Sequence, residues 1–314
     1  MTTNDESVPN TNTNRIKGPK VWLVTGCSTG LGKCLVSAIL ARGDKVIATA
    51  RKLSALEELN GLDHVKILSL DVTSPQSVLD SKVREACSLF GRVDVLVNNA
   101  GYVESGVWEE LDHENTVRGF ETNFFGAMKV TRAILPFMRS QRFGTIMFMG
   151  SIAGWYSAAA GGLYASSKCA LEGAAESLSR EVQNLGIRTH IFIIGRFRTG
   201  ILGEKSKNDK LSTQQGIADY IDAKNSLAQS LAASHGNQPG DPVRAAEKIV
   251  DIGRMENLTS SQAESLPLRI PLGAEAAEVM RQKSLDTLAL LDTWSQFSAE
   301  ADFENAERLP AFYS

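Results

Sequence analysis

Cysteine and histidine are scarce in this chain of 314 residues, which has 4 of each. The cysteines show no paired metal-ligand spacing and the histidines are scattered, so the sequence predicts no metal site. Cysteines this few, without secretory context, are typical of free thiols in a reducing compartment. We therefore expect a cytoplasmic protein.

An excess of charge of one sign is also missing. The 33 basic residues face 36 acidic ones, which excludes the strongly basic surface expected of a nucleic-acid-binding protein. No apolar run approaches the length of about 18 residues that spans a bilayer, so we predict no stable membrane insertion. Association of an amphipathic helix with a membrane surface stays open.

The chain divides into a leader, one domain and a tail. Residues 1–19 are rich in Thr, Asn and Asp and have no apolar segment, which indicates a disordered leader rather than a signal peptide. Residues 20–300 form the predicted domain, and residues 301–314 form a C-terminal tail. Within the domain, the polar residues 200–240 predict short helices that form a substrate lid, although a surface loop without function is the alternative.

Short apolar runs alternate with longer helical patterns through most of the domain. The predicted strands cover residues 21–24, 45–49, 65–70, 93–97, 144–149 and 188–194. The first predicted helix ends at residue 42, and the others cover residues 77–90, 115–140, 165–184, 242–255 and 274–297. Pro136 is a predicted breaker near the end of the helix over 115–140. Residues 266–272 are predicted to be extended. Continuous apolar strands separated by helices indicate an α/β fold with a doubly wound parallel sheet of Rossmann type. Such a sheet binds ligands at the carboxyl ends of its strands.

A glycine-rich turn follows the first predicted strand and opens the first helix. Its sequence runs from Thr25 to Gly32, with glycines at positions 26, 30 and 32. Glycines allow the backbone to approach a pyrophosphate, whose charge meets free N–H groups at the helix N-terminus. We therefore predict a dinucleotide site, with an unliganded turn as the alternative.

The end of the second strand indicates which dinucleotide binds there. An acid at this point suits the ribose 2′-hydroxyl of NAD, but the chain has Arg51 and Lys52 instead. The guanidinium of Arg51 can pair with a 2′-phosphate, which favours NADP(H). Solvated charges at a helix start are the alternative. Asp71 follows the third strand and could accept a hydrogen bond from adenine, or be a turn residue.

Tyr164 and Lys168 stand four residues apart and therefore project from the same face of a helix. A nearby ammonium favours phenolate over phenol, so we expect Lys168 to lower the pKa of Tyr164 and make it a proton donor and acceptor. Ser151 lies thirteen residues before Tyr164, after the fifth strand. The Tyr–Lys spacing alone is weak evidence because it is common on solvated helices.

Taken together, these residues resemble the short-chain dehydrogenase/reductase family, and most closely its branch of 17β-hydroxysteroid dehydrogenases and fungal ketoreductases. The resemblance covers residues 20 to about 200. It is carried, in the family's order, by Thr25-Gly26-x-x-x-Gly30-x-Gly32, Asp71, Asn98-Asn99-Ala100-Gly101, Asn123, Ser151, Tyr164 and Lys168.

The resemblance implies a catalytic set of four residues. Tyr164 would donate and accept the proton, and Lys168 would lower the pKa of Tyr164 and hold the nicotinamide ribose. Ser151 would bind the substrate oxygen. Asn123 would hold a water in a proton relay; an Asn that satisfies backbone groups in a helix kink is the other reading. The implied cofactor contacts lie at Gly26, Ser28, Gly30, Leu31, Gly32, Arg51, Asp71, Val72, Asn98, Tyr164, Lys168, Phe197 and Thr199.

One departure from the family pattern follows the sixth strand. The family has Pro-Gly there, whereas this chain has Ile194-Gly195. The missing proline frees a torsion and adds an N–H, which predicts a looser start to the lid. Arg196 and Arg198 are expected to be solvated loop charges rather than a clamp for an anionic substrate.

The resulting hypothesis is an NADP(H)-dependent oxidoreductase that transfers a hydride between the nicotinamide and a ketone or secondary alcohol, with Tyr164 as proton donor and acceptor. A catalytically idle dinucleotide-binding sensor or scaffold is the second hypothesis, and an epimerase that retains its cofactor is the third. By resemblance alone, we expect a homo-oligomer.

Overall fold

The computed structural model describes residues 18–202 and 216–303. Nearly all of the predicted leader, part of the predicted lid and most of the predicted tail therefore lie outside the described residues. The described ranges contain the complete predicted sheet and every candidate site residue.

The centre of the fold is a seven-stranded parallel sheet with strand order β3-β2-β1-β4-β5-β6-β7. Its strands are β1 (Val21–Val24), β2 (Lys45–Ala50), β3 (Val65–Ser69), β4 (Val95–Asn98), β5 (Gly144–Met149), β6 (Ile187–Ile194) and β7 (Arg269–Leu272). This confirms the predicted doubly wound α/β fold. The order reverses between β1 and β4, which creates the crevice where such sheets bind ligands.

Helices cover both faces of the sheet. Those of the domain are α1 (Gly30–Ala41), α2 (Gln76–Phe90), α3 (His113–Phe120), α4 (Gly126–Gln141) and α5 (Gly162–Val182) before β6, and α6 (Ile221–Ser234), α7 (Pro242–Arg254), α8 (Ser260–Glu264) and α9 (Ala274–Ala299) after it. Buried side chains of α2, α4 and α5 form one core with the sheet. Buried side chains of α1 and α7 form a second core on the opposite face of the sheet. Burial of the strands on both faces of the sheet explains why their sequences are continuously apolar.

The predicted helix over 115–140 is interrupted. A π-helical turn, Glu121–Phe125, separates α3 from α4. Pro136 lies inside α4 and does not break it, and α4 ends at Gln141, one residue after the predicted end at 140. Proline removes one backbone hydrogen bond, but Ile134 and Met138 on either side are fully buried and hold the last turn against the core.

The region after β6 contains a longer helix than the sequence predicted. The polar residues 200–240 predicted only short helices, whereas α6 has 14 residues. The extended segment predicted at 266–272 contains β7, which pairs in parallel with β6 and places Leu272 opposite Ile194. None of the described helices is long and apolar enough to cross a membrane.

Candidate active site

The glycine-rich turn leads directly from β1 into α1. Gly26 has φ +72° and Gly30 has φ +55°, which are left-handed conformations that favour glycine. A Cβ on Gly32 would overlap the carbonyl oxygen of Gly26 and lie 2.7 Å from Asn99 Nδ2. The glycines are therefore required by the conformation of the turn and by the close packing of its two ends.

The first turn of α1 fits an anionic ligand. No side chain in the described part of the chain caps this helix, and its first turn contains no acidic residue. By contrast, Asp112 caps α3 and Asp241 caps α7 through their carboxylates. The uncapped N–H groups of α1 and its positive dipole end are the features that bind a pyrophosphate.

Thr25 and Asn99 tie the turn to the end of β4. The Thr25 hydroxyl accepts hydrogen bonds from the backbone N–H groups of Asn99 (2.9 Å) and Ala100 (3.0 Å). The Asn99 amide donates to the carbonyl oxygens of Thr25 (2.8 Å) and Gly26 (3.1 Å). The sequence did not single out Asn99 as a site residue, although it lies inside the quoted Asn-Asn-Ala-Gly motif.

Arg51 and Asp71 lie beyond β2 and β3, at the same edge of the sheet as the turn. Arg51 is exposed, and neither it nor Lys52 takes part in any ion pair among the described residues. Asp71 accepts hydrogen bonds from the backbone N–H (3.0 Å) and hydroxyl (2.8 Å) of Thr73. Asp71 therefore has the turn role that the sequence offered, and its contact with adenine stays a prediction.

The remaining predicted cofactor residues surround the same crevice. Val72 and Asn98 are buried, and the Asn98 amide donates to the Thr131 hydroxyl at 3.0 Å. Ser28 and Leu31 lie in the turn and are partly buried. The side chain of Asn98 therefore links β4 to α4.

The segment after β6 folds back toward the turn. A Cβ on Gly30 would lie 3.5 Å from Thr199 Cβ, so Thr199 lies directly against the phosphate turn. Phe197 forms a bridge with Gly240, and its ring packs against Gly240 and Gly273. Arg196 pairs with Glu275 of α9 at 2.6 Å, so its charge is matched within the fold.

Ser151, Tyr164 and Lys168 meet where β5 ends and α5 begins. Ser151 follows β5 and is 8% exposed, and its hydroxyl accepts a hydrogen bond from the N–H of Ala153 at 3.1 Å. Tyr164 lies in the first turn of α5, and Lys168 Nζ lies 5.5 Å from the centre of its ring. The structure therefore brings the three residues together as the spacing predicted.

The expected direction of the Tyr164 pKa shift was wrong. Burial raises the pKa of this phenol above its usual value, and hydrogen bonding to Ser151 opposes the rise. Burial also lowers the pKa of the Lys168 ammonium to about 8. Desolvation disfavours the charged form of both groups and is the largest influence on each pKa.

Lys168 is 6% exposed and donates a hydrogen bond to the carbonyl oxygen of Met149 at 2.7 Å. Its folded-state pKa of about 8 is below its ordinary value of 10.5, so charging the buried amine opposes folding. We predict that Lys168→Met raises the free energy of unfolding at pH 7 by up to about 3 kcal/mol.

This difference should shrink as the pH rises, because the unfolded chain binds more protons than the folded one between the two pKa values. Below pH about 8 the full cost is present, and above the ordinary value of 10.5 it is gone. Both proteins carry Tyr164→Phe, so that titration of the phenol beside Lys168 does not enter the difference. Urea unfolding of both proteins across this range, without cofactor, measures the difference, and a difference that does not change with pH would contradict the prediction.

Asn123 lies in the π-helical turn and is 3% exposed. Its amide oxygen accepts from the Tyr102 N–H at 3.0 Å, and its amide nitrogen donates to the Tyr102 carbonyl at 2.9 Å and the Ser167 hydroxyl at 3.2 Å. Asn123 therefore satisfies backbone groups, but those of the loop after β4 rather than those of its own helix.

A cavity of about 550 Å³ adjoins the phosphate turn. Gly30 and Thr199 line it, together with residues of α1 and α7. Ser151, Tyr164 and Lys168 do not line this cavity. It is bordered by α1, by the start of α7 and by the segment after β6.

Comparison with known proteins agrees with this geometry. The family model described as short chain dehydrogenase matches residues 20–210. Oxidoreductase BOA17 of Botryotinia fuckeliana is 32% identical over 283 residues, which cover 89% of this chain and 98% of that protein. The 3-ketodihydrosphingosine reductase of Bacteroides thetaiotaomicron is 34% identical over 201 residues, which cover 64% of this chain and 72% of that protein.

A solved structure is similar over nearly the same length. The crystal structure of a short-chain dehydrogenase from Streptomyces avermitilis superposes with a TM-score of 0.78 at 33% identity. The match covers 91% of this chain and 100% of that one. With the phosphate turn and the Ser151–Tyr164–Lys168 arrangement described above, the chain belongs to the short-chain dehydrogenase family of oxidoreductases.

Proposed function

We propose that the protein is an NADP(H)-dependent reductase of ketones, which also runs in reverse as a dehydrogenase of secondary alcohols. The observation that carries this proposal is the meeting of Ser151, Tyr164 and Lys168 at the end of β5. They lie in the same crevice as an uncapped, glycine-rich phosphate turn. A hydroxyl, a phenol and a buried amine there can polarise and protonate a carbonyl oxygen.

The cofactor side of the proposal rests on the turn and on Arg51. Gly26, Gly30 and Gly32 would let the backbone reach the pyrophosphate, and the N–H groups that open α1 would bind it. The exposed guanidinium of Arg51 is free to pair with a 2′-phosphate. When bound, NADPH supplies the hydride that reduces the carbonyl carbon.

Tyr164 is the proposed acid. In reduction, its phenol would donate a proton to the carbonyl oxygen while the Ser151 hydroxyl donates a hydrogen bond to the same atom. Burial raises the Tyr164 pKa, which keeps the phenol protonated and able to donate at neutral pH. In alcohol oxidation the same oxygen would take the proton back.

Lys168 and Asn123 are proposed to support this transfer. Lys168 Nζ is close enough to the Tyr164 ring to favour the phenolate that remains after proton donation. A Cβ on Gly101 would lie 3.1 Å from Asn123 Oδ1 and 3.8 Å from Lys168 Nζ, so both groups border the same glycine. Asn123 would hold the loop after β4 beside the lysine and, as the family resemblance implies, order a water that returns the proton.

A ketone is the substrate class that fits these groups. The similar Bacteroides protein is named as the reductase of a ketone, which agrees with this class. The membership of the 17β-hydroxysteroid dehydrogenase and fungal ketoreductase branch is part of the proposal. It stands on the segments around Arg51 and around residues 266–273.

The direct test is to mix the purified protein with NADPH and a panel of ketones and follow the absorbance of the reduced nicotinamide. We expect turnover of at least one ketone, and faster turnover with NADPH than with NADH. Tight NADPH binding without turnover of any ketone or alcohol would favour the idle dinucleotide-binding protein. Dinucleotide that stays bound through purification would favour the epimerase.

A further inference from the structure

Helix α6 covers the segment that joins Ser151 to Tyr164. Leu227, Ala228 and Leu231 of α6 pack against Val107 and Ala160, which form a small core of their own. Ala160 is four residues before Tyr164, and Val107 lies in the loop that follows β4. Because these apolar contacts are few, they stabilise the position of α6 only weakly.

Glu110 supplies the strongest contacts between this loop and α6. Lys224 Nζ donates to both oxygens of its carboxylate, at 2.7 and 2.9 Å. The backbone N–H of Ile217 donates to the same carboxylate at 2.7 Å. The hydroxyl of Tyr220 donates to the neighbouring Glu109, also at 2.7 Å. Three groups at the start of α6 thus converge on two adjacent carboxylates.

The Lys224–Glu110 pair differs from an ordinary surface ion pair because it is enclosed. The side chain of Lys224 is 4% exposed and that of Glu110 is 22% exposed. A Cβ on Gly216 would overlap Lys224 Nζ and lie 2.5 Å from Glu110 Oε1, so the backbone passes directly over the pair. Removing Glu110 would leave the Lys224 ammonium buried without its carboxylate, which is the costly case for an ion pair.

The loop that carries Glu110 is attached to Asn123 and to the segment that precedes Tyr164. Asn123 binds both backbone groups of Tyr102, at 3.0 and 2.9 Å. The N–H of Gly106 donates to the carbonyl of Ala160 at 2.8 Å. Contacts therefore run without a gap from Asn123 through this loop to Glu110 and then to α6.

We propose that Glu110 is a positioning residue that, through Lys224, holds α6 over the substrate crevice and so limits the size of the ketone that binds. This inference rests on the proposed reductase function. With α6 fixed, a compact ketone is enclosed on three sides by the loop, the segment after Ser151 and α6. With α6 released, the compact ketone loses one wall, whereas a bulky ketone gains room.

The test compares the wild type with Glu110→Gln, which keeps the shape of the side chain but removes its charge. Cyclohexanone serves as the compact ketone and 2-acetylnaphthalene as the bulky one. We expect the KM for cyclohexanone to rise about tenfold while kcat changes less than about twofold, because the charged hydrogen bonds hold a wall and not the reacting atoms. The ratio of kcat/KM for the bulky over the compact ketone should rise by about the same tenfold factor.

Two further variants separate the ion pair from general damage. Lys224→Met should give the same shifts, and combining it with Glu110→Gln should add little to either single change, because both remove the same ion pair. Glu85→Gln, which removes an exposed carboxylate that pairs with Lys82 on α2, is the matched control and should change neither KM nor selectivity. The affinity for NADPH should be unchanged in every variant.

Hydrogen–deuterium exchange provides a readout that does not need turnover. In Glu110→Gln, residues 217–234 should exchange faster than in the wild type, while peptides of β4 and β5 stay the same. Unchanged exchange of 217–234, or an unchanged preference between the two ketones, would overturn the role of Glu110. If the wild type reduces no ketone, but Glu110→Gln still speeds exchange of residues 217–234, the proposed function is wrong and the positioning of α6 by Glu110 still holds.

Discussion

Tyr164→Phe should lower kcat for ketone reduction by about a thousandfold, because it removes the one proposed donor of the proton to the carbonyl oxygen. The substitution keeps the aromatic ring, whose centre lies 5.5 Å from Lys168 Nζ, so the packing at the start of α5 is preserved. Steady-state kinetics with NADPH and the best ketone of the panel measure the loss. The dissociation constant for NADPH should change little.

The matched control for this prediction is Tyr156→Phe. Tyr156 lies between Ser151 and Tyr164 in the sequence, but its side chain is 70% exposed and removal of its hydroxyl should leave kcat unchanged. If Tyr164→Phe keeps more than about a tenth of the wild-type kcat, general acid catalysis by this residue contributes too little for the proposed role. The assignment of Tyr164 would then be wrong.

Arg51→Glu should reverse the preference between the two nicotinamide cofactors. The variant removes a guanidinium that can pair with the 2′-phosphate and places a carboxylate there, which repels the phosphate and suits a ribose hydroxyl. We expect the ratio of kcat/KM for NADPH over NADH to fall by a factor of about 100 or more, since loss of an ion pair and gain of a repulsion each cost at least a tenfold factor.

Lys52→Glu is the matched control for the cofactor prediction. It makes the same change of charge at the next residue, which is also exposed, and should alter the ratio much less. If Lys52→Glu changes the ratio more than Arg51→Glu does, Lys52 and not Arg51 makes the contact with the phosphate. If neither variant changes the ratio, the preference for NADP(H) is not determined at the end of β2.

Elements with a strong local pattern were predictable. The strands β1, β2 and β5 are short runs of apolar or β-branched residues, and their burial on both faces follows from helices on each side of the sheet. The phosphate turn was predictable for a similar reason. Its conformation depends on glycines at fixed positions, which leave a direct mark in the sequence.

The details that depend on packing were not predictable. Pro136 was predicted to be a breaker near the end of the helix because of its local preference, but burial of Ile134 and Met138 holds α4 together on both sides of it. The direction of the Tyr164 pKa was missed for a related reason. The sequence shows the neighbouring charge of Lys168 but not the burial, and burial has the larger effect on both groups.

The sequence by itself determined the fold class, the phosphate turn and the residue types of the candidate catalytic set, because each of these depends on residues close together in the chain. Only the tertiary structure decided what surrounds that set. Glu110 and Lys224 are 114 residues apart, and neither carries a local pattern that indicates the other. Their pairing results from the return of the chain after β6 to the loop after β4, which is a property of strand order in the sheet.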